Sequence, residues 1–176
     1  VVTHNGRRWL PGCLKSLAMQ TYPALEVVVV DAASEDPESV RRLVGRLLPT
    51  ASMLRLERNV GFGAAANRAL ELSPDARSAE FYLFLHDDVA LHRDCVGLLV
   101  AAGLETNAGV VGGKGLSWDE PEVLLEVGMS ADEFGYPVSG LEEREIDQGQ
   151  HDTRREVLFV TSACILVSRQ TVERCG

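Results

Sequence analysis

The sequence predicts an α/β fold in a single domain, a mostly parallel sheet with helices on both faces. Three observations predict it. Short apolar, β-branched runs alternate with segments whose apolar residues recur every three or four positions. Capping and turn residues separate the two kinds of segment, which is the strand-helix alternation of a parallel sheet. The length of 176 residues, 45% hydrophobic and 24% charged, suits one core and is too apolar for intrinsic disorder.

Taken in order, Val1, Val2 and Thr3 read as the last part of a strand whose start is expected upstream, so that the chain is expected to be a segment of a longer protein. Residues 9–20 follow as a helix with Leu10, Cys13, Leu14 and Leu17 on one face, closed by Thr21, Tyr22 and Pro23. Residues 25–30 are a strand buried on both faces and ending in Asp31. After a loop over 32–36, Asp36 caps a helix with Pro37 in its first position, and Val40, Leu43, Val44, Leu47 and Leu48 mark its buried stripe. A short strand over 53–56 leads through the loop 59–63 into an alanine-rich helix reaching Leu72. The strand 81–85 runs straight into His86, Asp87 and Asp88. Val96, Leu99, Val100 and Leu104 space as another helix, and Val110 and Val111 as a short strand ahead of Gly112 and Gly113. Over 114–155 periodicity fails, which predicts a variable loop region whose acidic residues at 142–152, Glu145 and Asp147 among them, are solvated. Order returns with a β-rich run over 157–167 and a helix over 169–176.

Composition removes several function classes. With 17 basic against 26 acidic side chains and a formal charge of −9, nucleic acid is not an expected partner, and an anionic ligand is expected to need a metal ion. The longest nearly apolar stretch, 95–104, is far short of the roughly 20 residues of a membrane helix, and no basic-then-apolar leader opens the chain. A cytoplasmic domain follows as the expectation, with attachment at the inner membrane face only through segments outside it. Cys13, Cys95, Cys164 and Cys175 lie far apart, mostly among apolar neighbours, and read as buried free thiols. Lys15 and Lys114 are the only lysines, a usage that fits a GC-rich bacterial genome.

Three strand ends carry polar groups: Thr3, His4 and Asn5 after the first, Asp31 after the second, and His86, Asp87 and Asp88 after the fourth. Parallel strands bring such ends to one edge, where ligands of these sheets bind. The set suits a nucleoside diphosphate. Asp31 can accept from a base or ribose, while Asp88 holds a divalent cation that neutralises the phosphates. Oxygen ligands favour Mg2+ or Mn2+, and an imidazole from His86 tilts the choice to Mn2+; a hydrogen-bonded strand-end histidine is the equal alternative for His86. Asp87 is grouped with the nucleotide-binding set, although a solvated turn residue is the favoured reading of that side chain alone.

These residues recur in a recognisable order. Thr-His-Asn-Gly at 3–6, Ser16-Leu17 with Gln20-Thr21-Tyr22-Pro23, the strand ending at Asp31, Asn59-Val-Gly-Phe-Gly with Asn67-Arg68, Leu85-His-Asp-Asp-Val, Gly109-Val-Val-Gly-Gly-Lys and Phe159-Val-Thr-Ser-Ala-Cys-Ile-Leu-Val span nearly the whole chain. Together they resemble family 2 glycosyltransferases. The resemblance implies a GT-A fold, inverting transfer of a sugar from a UDP- or dTDP-sugar donor to a glycan or lipid-linked cell-envelope acceptor, and a divalent cation at an Asp-x-Asp motif. It implies that Thr3, His4 and Asp31 hold the nucleoside, with His4 where the family usually has Tyr, that Asn59, Gly61 and Asn67 line the donor pocket, and that Asp88 is the metal ligand. Residues 1–113 would form the nucleotide-sugar part and 114–176 the start of the acceptor side. The chain departs from the pattern at His86, which replaces the first motif aspartate, and at Ala32, which replaces an Asn. The family's base, in a Glu-Asp pair, is expected beyond Gly176, so that the segment alone is expected to be inactive and none of its residues is assigned as the base.

Three alternatives stand beside this reading. Gly61-Phe-Gly63-Ala-Ala-Ala66 fits the dinucleotide fingerprint of a dehydrogenase, with Asp87 near the ribose position, but two βα units precede it. A sugar nucleotidyltransferase would need a Gly-rich loop with Arg and Lys where Thr-His-Asn-Gly stands. A transferase-like domain that binds nucleotide sugar or glycan without turnover is the third, on the strength of His86.

Overall fold

The computed structural model describes residues 1–73 and 78–175. In chain order these form β1 (Val2–Thr3), α1 (Leu10–Ala18), β2 (Val28–Ala32), α2 (Pro37–Leu47), β3 (Ser52–Leu56), α3 (Phe62–Leu72), β4 (Phe81–Leu85), α4 (Cys95–Thr106), β5 (Val110–Gly112), β6 (Gly115–Leu116), β7 (Leu124–Glu126), β8 (Ser130–Ala131), β9 (Pro137–Val138), β10 (Cys164–Ser168) and α5 (Arg169–Cys175). The strands β1, β2 and β3 pair in parallel in that spatial order. A second sheet has the order β4-β10-β5, with β10 antiparallel to both neighbours. A parallel bridge from Val2 to His86 joins the two, so the layer runs β3-β2-β1-β4-β10-β5.

The antiparallel strand departs from a simple reading of the sequence. Only Cys164–Ser168 of the expected run 157–167 is a strand. Flanked on both sides, it is apolar from Cys164 to Val167, and composition does not encode its direction. Val157, Leu158 and Phe159 lie outside it and are exposed, with Phe159 making only an isolated bridge to Met129.

Local rules explain the helices. Asp36 caps α2 by accepting from the Ser39 amide at 2.9 Å, with Pro37 following. Gly61 opens α3 at φ 84°, a backbone conformation that a β-carbon disfavours. In α4 the capping group comes from elsewhere: Gln20 accepts from the Val96 amide at 3.1 Å and donates to the carbonyls of Ser16 and His92. The Gln20-Thr21 pair thus clamps the end of α1 to the start of α4, with the Thr21 hydroxyl donating to Asp94 at 2.9 Å.

The core joins Leu10, Leu14 and Leu17 of α1, Val29 of β2, Val40 and Val44 of α2, Leu85 of β4, Leu99 and Val100 of α4, and Leu166 of β10. Each such side chain contributes about 1.5–3 kcal/mol by leaving water. Leu104, expected on the buried stripe of α4, is 62% exposed; Gly103 is buried instead, close against the Phe81 ring. The strand expected from residue 25 begins at Val28.

All four cysteines are free thiols. Cys13 is sealed in the core, where burial pushes its thiol up to about 12. Cys95 and Cys164 are half-buried and hydrogen-bonded to one another, but Cys175 is exposed, against expectation. Among the described residues no helix is long and apolar enough to cross a membrane. An apolar cavity of about 580 Å³ opens between β2 and β4, lined by Val2, Val28, Val30, Leu83 and Leu85, and none of the polar strand-end residues reaches it.

Candidate functional site

Register places the site. Across the first sheet Thr3 lies opposite Asp31, and Asp31 opposite Arg55. The Val2–His86 bridge sets the end of β4 beside β1, so Arg55, Asp31, Thr3 and Asp87 form a row along the carboxyl edge. All three strand ends therefore meet, as expected.

Asp31 is fully buried. Its Oδ1 accepts from the Ser34 amide at 2.8 Å and its Oδ2 from Arg55, whose second amino group reaches the Ser34 carbonyl at 3.2 Å. A buried carboxylate needs such a partner to remain charged. Arg55 was not singled out from the sequence, although a lone arginine inside Met53-Leu54-Arg55-Leu56 beside a buried aspartate is a readable signal. The loops after β1 and β2 then interlock: the Asn5 amide donates to the Ser34 hydroxyl and the Glu35 amide to Asn5 Oδ1, both at 2.9 Å. Asn5 and Ala33 take left-handed conformations, φ 57° and 62°, to make these turns.

His4 is exposed, with Nδ1 at 2.7 Å from the Ala32 carbonyl. A carbonyl only accepts, so Nδ1 is the donor in this bond. This bond ties the ring to the loop after β2.

Asp87 corrects the expectation of a solvated turn residue. It is half-buried, and the Thr3 hydroxyl donates to its Oδ2. Burial pushes the carboxyl above its ordinary range, and the Thr3 bond pulls it partly back. Gly6 is required beneath this pair, because a β-carbon there would overlap both the Asp87 carboxylate and the Thr3 hydroxyl.

Asp88, by contrast, faces solvent with 55% of its side chain exposed. His86 Nδ1 lies 3.9 Å from Asp88 Oδ1, His86 Nε2 is 3.2 Å from the Ser162 hydroxyl, and the Phe62 ring packs on the imidazole with centroids 4.3 Å apart. Among the described residues no group of three or more His, Cys, Asp or Glu side chains is arranged around a metal position. One open carboxylate with an imidazole beside it does suit a hard cation that takes its other ligands from a diphosphate and water.

Phe62, the first residue of α3, directly follows the loop carrying Asn59 and Gly61, where Asn59 Oδ1 accepts from the Gly61 amide at 3.0 Å, and its ring contact sets the start of α3 against the end of β4. Asn67 lies one turn further along α3 and is exposed.

The expectation for 114–155 changes most. Two small antiparallel pairs, β6 with β7 and β8 with β9, give the segment order. Lys114 Nζ lies 2.6 Å from Asp147 and 2.5 Å from Asp152, and holds the Asp147 carboxyl below its ordinary range. Glu145 accepts from Gln150 at 2.8 Å, the Glu142 amide at 2.9 Å and His151 at 2.9 Å, which together draw its carboxyl down to about 2. These carboxylates are engaged in a folded loop and not dispersed in solvent. Such a loop has no apolar period, because ion pairs, side-chain hydrogen bonds and main-chain bonds to 122–124 hold it in place.

With the site described, similarity to known proteins can be read against it. Residues 1–176 match the family described as Glycosyl transferase family 2. The chain belongs to that family. A crystal structure of S. aureus TarS 1-349 is 26% identical with a TM-score of 0.52, covering 72% of this chain and 40% of that one. Structures of the same protein in complex with UDP and with UDP-GlcNAc are each 28% identical with TM-scores of 0.52, covering 66% of this chain and 36% and 35% of those chains. The chain thus spans less than half the length of these relatives. No curated protein matches it. The α/β layer described above is the GT-A architecture that the resemblance implied.

Proposed function

We propose that the chain is the donor-binding domain of an inverting glycosyltransferase acting on a nucleotide sugar, with a glycan or cell-envelope molecule as acceptor. The observation that carries the reading is the row Arg55, Asp31, Thr3 and Asp87 along the carboxyl edge, with the open carboxylate of Asp88 beside it. Family membership supports it, as do the TarS complexes with UDP and UDP-GlcNAc.

Each residue then has a task. The Arg55–Asp31 pair and Ser34 hold the two loops open as a seat for the nucleoside, and His4 offers its ring face to the base. Asn59 and Asn67 present amides toward the donor sugar. Asp88, with His86 adjacent, would hold Mn2+ or Mg2+, which when bound stabilises charge on the leaving diphosphate. In the transfer, the acceptor hydroxyl loses its proton to a base as its oxygen bonds the anomeric carbon, and the bond from that carbon to the diphosphate breaks on the opposite face, its electron pair leaving with the nucleotide. No residue among 1–176 is assigned that base. Asp87, half-buried and accepting from the Thr3 hydroxyl, serves as a brace for Thr3.

The test is thermal unfolding with UDP, dTDP, GDP and NAD, each with Mn2+ and with EDTA. Ligand at about 100 times its dissociation constant stabilises by about 2.7 kcal/mol. A shift with one nucleoside diphosphate that vanishes in EDTA supports the reading. A shift with NAD alone, or none, contradicts it.

A further inference from the structure

The chain has two tryptophans, and the fold brings them together. Trp9 stands at the cap of α1 and Trp118 follows β6. Their ring centroids are 5.5 Å apart with the planes inclined by 39°. The Arg8 guanidinium lies 4.2 Å over the Trp9 ring, a cation-π contact. The indole N–H of Trp118 donates to the main-chain carbonyl of Asp88, the residue with the open carboxylate. The backbone of α1 leaves room for this ring at Gly12, where a β-carbon would sit 2.8 Å from Trp118 Cη2.

We propose that Trp118, backed by Trp9, is the platform on which a sugar ring of the acceptor stacks; this rests on the donor reading above. The one polar atom of Trp118 is already satisfied, yet the residue is 43% exposed, so what it offers outward is apolar ring. A rigid indole, pinned at its edge and backed by a second ring, loses little entropy when something packs on it. A pyranose matches that surface, because its axial C–H bonds make one flat apolar face while its hydroxyls ring the rim and stay hydrated. A nucleobase matches the ring as well, but the donor reading seats the base at Thr3, His4 and Asp31, at the ends of β1 and β2, whereas Trp118 follows β6 and leans on Trp9 and on the α1 backbone at Gly12. Its bond to Asp88 puts a stacked sugar next to the residue at which the diphosphate is expected to leave.

Because every tryptophan of the chain is in this pair, intrinsic fluorescence reads the platform directly. The experiment titrates the protein with the methyl glycosides of glucose, galactose, rhamnose and N-acetylglucosamine, and separately with UDP and Mn2+, then repeats both by saturation-transfer NMR on Trp118→Ala and Trp118→Phe. The expected result is saturable glycoside binding in the wild type that falls at least about tenfold in Trp118→Ala and stays within about threefold in Trp118→Phe, which keeps a ring but no N–H. Glycoside binding unchanged in Trp118→Ala would overturn the inference. So would wild-type protein that binds UDP but no glycoside, or equal losses of glycoside and UDP affinity in both variants, which would make Trp118 a brace for Asp88 only. Glycoside binding that depends on the ring, in protein that binds no nucleotide, would retain the platform and sink the donor reading instead.

Discussion

At the scale of single residues, the buried Asp31 governs the site. Replacing Arg55 by Leu leaves its charge uncompensated and is expected to cost about 3 kcal/mol in urea unfolding. Adding Asp31→Asn to that variant should return much of the loss, whereas equal stability of the single variant and the wild type would show that the pair is not structural. Asp88→Ala should leave stability unchanged and abolish Mn2+-dependent nucleotide affinity, read by calorimetry. Thiol reactivity gives an independent check on packing: at pH 8 Cys175 should react at once with an aromatic disulfide, and Cys13 only on unfolding, because its thiol is buried and pushed up to about 12. Asp31 and Asp88 were legible in the sequence because each directly follows or nearly follows an apolar strand. The inward turn of Asp87 was not, since nothing in two adjacent aspartates says which one meets Thr3 across the neighbouring strand.

At the scale of elements, caps and loops behave differently. Asp36→Ala removes the cap of α2 and should cost about 1 kcal/mol, measured by thermal unfolding. The loop 142–152 responds to acid. Glu145 has its carboxyl depressed from about 4.5 in an open chain to about 2 by Gln150, the Glu142 amide and His151. Its ionised form is the bonded one, so its contribution is fully present above pH 4.5 and is lost as pH falls toward 2. The carboxyl carbon of Glu145 should titrate with a midpoint near 2, and a midpoint near 4.5 would show that the loop is as solvated as its composition implies. Apolar periodicity revealed α1, α2, β4 and α4 because each buries one stripe or one run against the core. It could not reveal β6 to β9, which are strands of two or three residues, too short to show a period.

For the whole molecule, a register of parallel strands converts separate sequence motifs into one edge. The order β3-β2-β1-β4-β10-β5 puts Thr3 and Asp31 on one side of β4 and the strands β10 and β5 on the other, with Asp87 and Asp88 directly after β4. The reversed β10 was beyond reach of the sequence, because a strand flanked on both sides has the same composition in either direction. The apolar cavity between β2 and β4 lies apart from this edge and serves as the internal contrast for any binding study.

The most direct test of the account is amide shift mapping of the isotope-labelled chain during a titration with UDP and Mn2+. Shifts concentrated at 3–6, 31–34, 59–63 and 86–88 are the expected result. Shifts confined to Val28, Val30, Leu83 and their neighbours around the apolar cavity, or no saturable shifts at all, would contradict it.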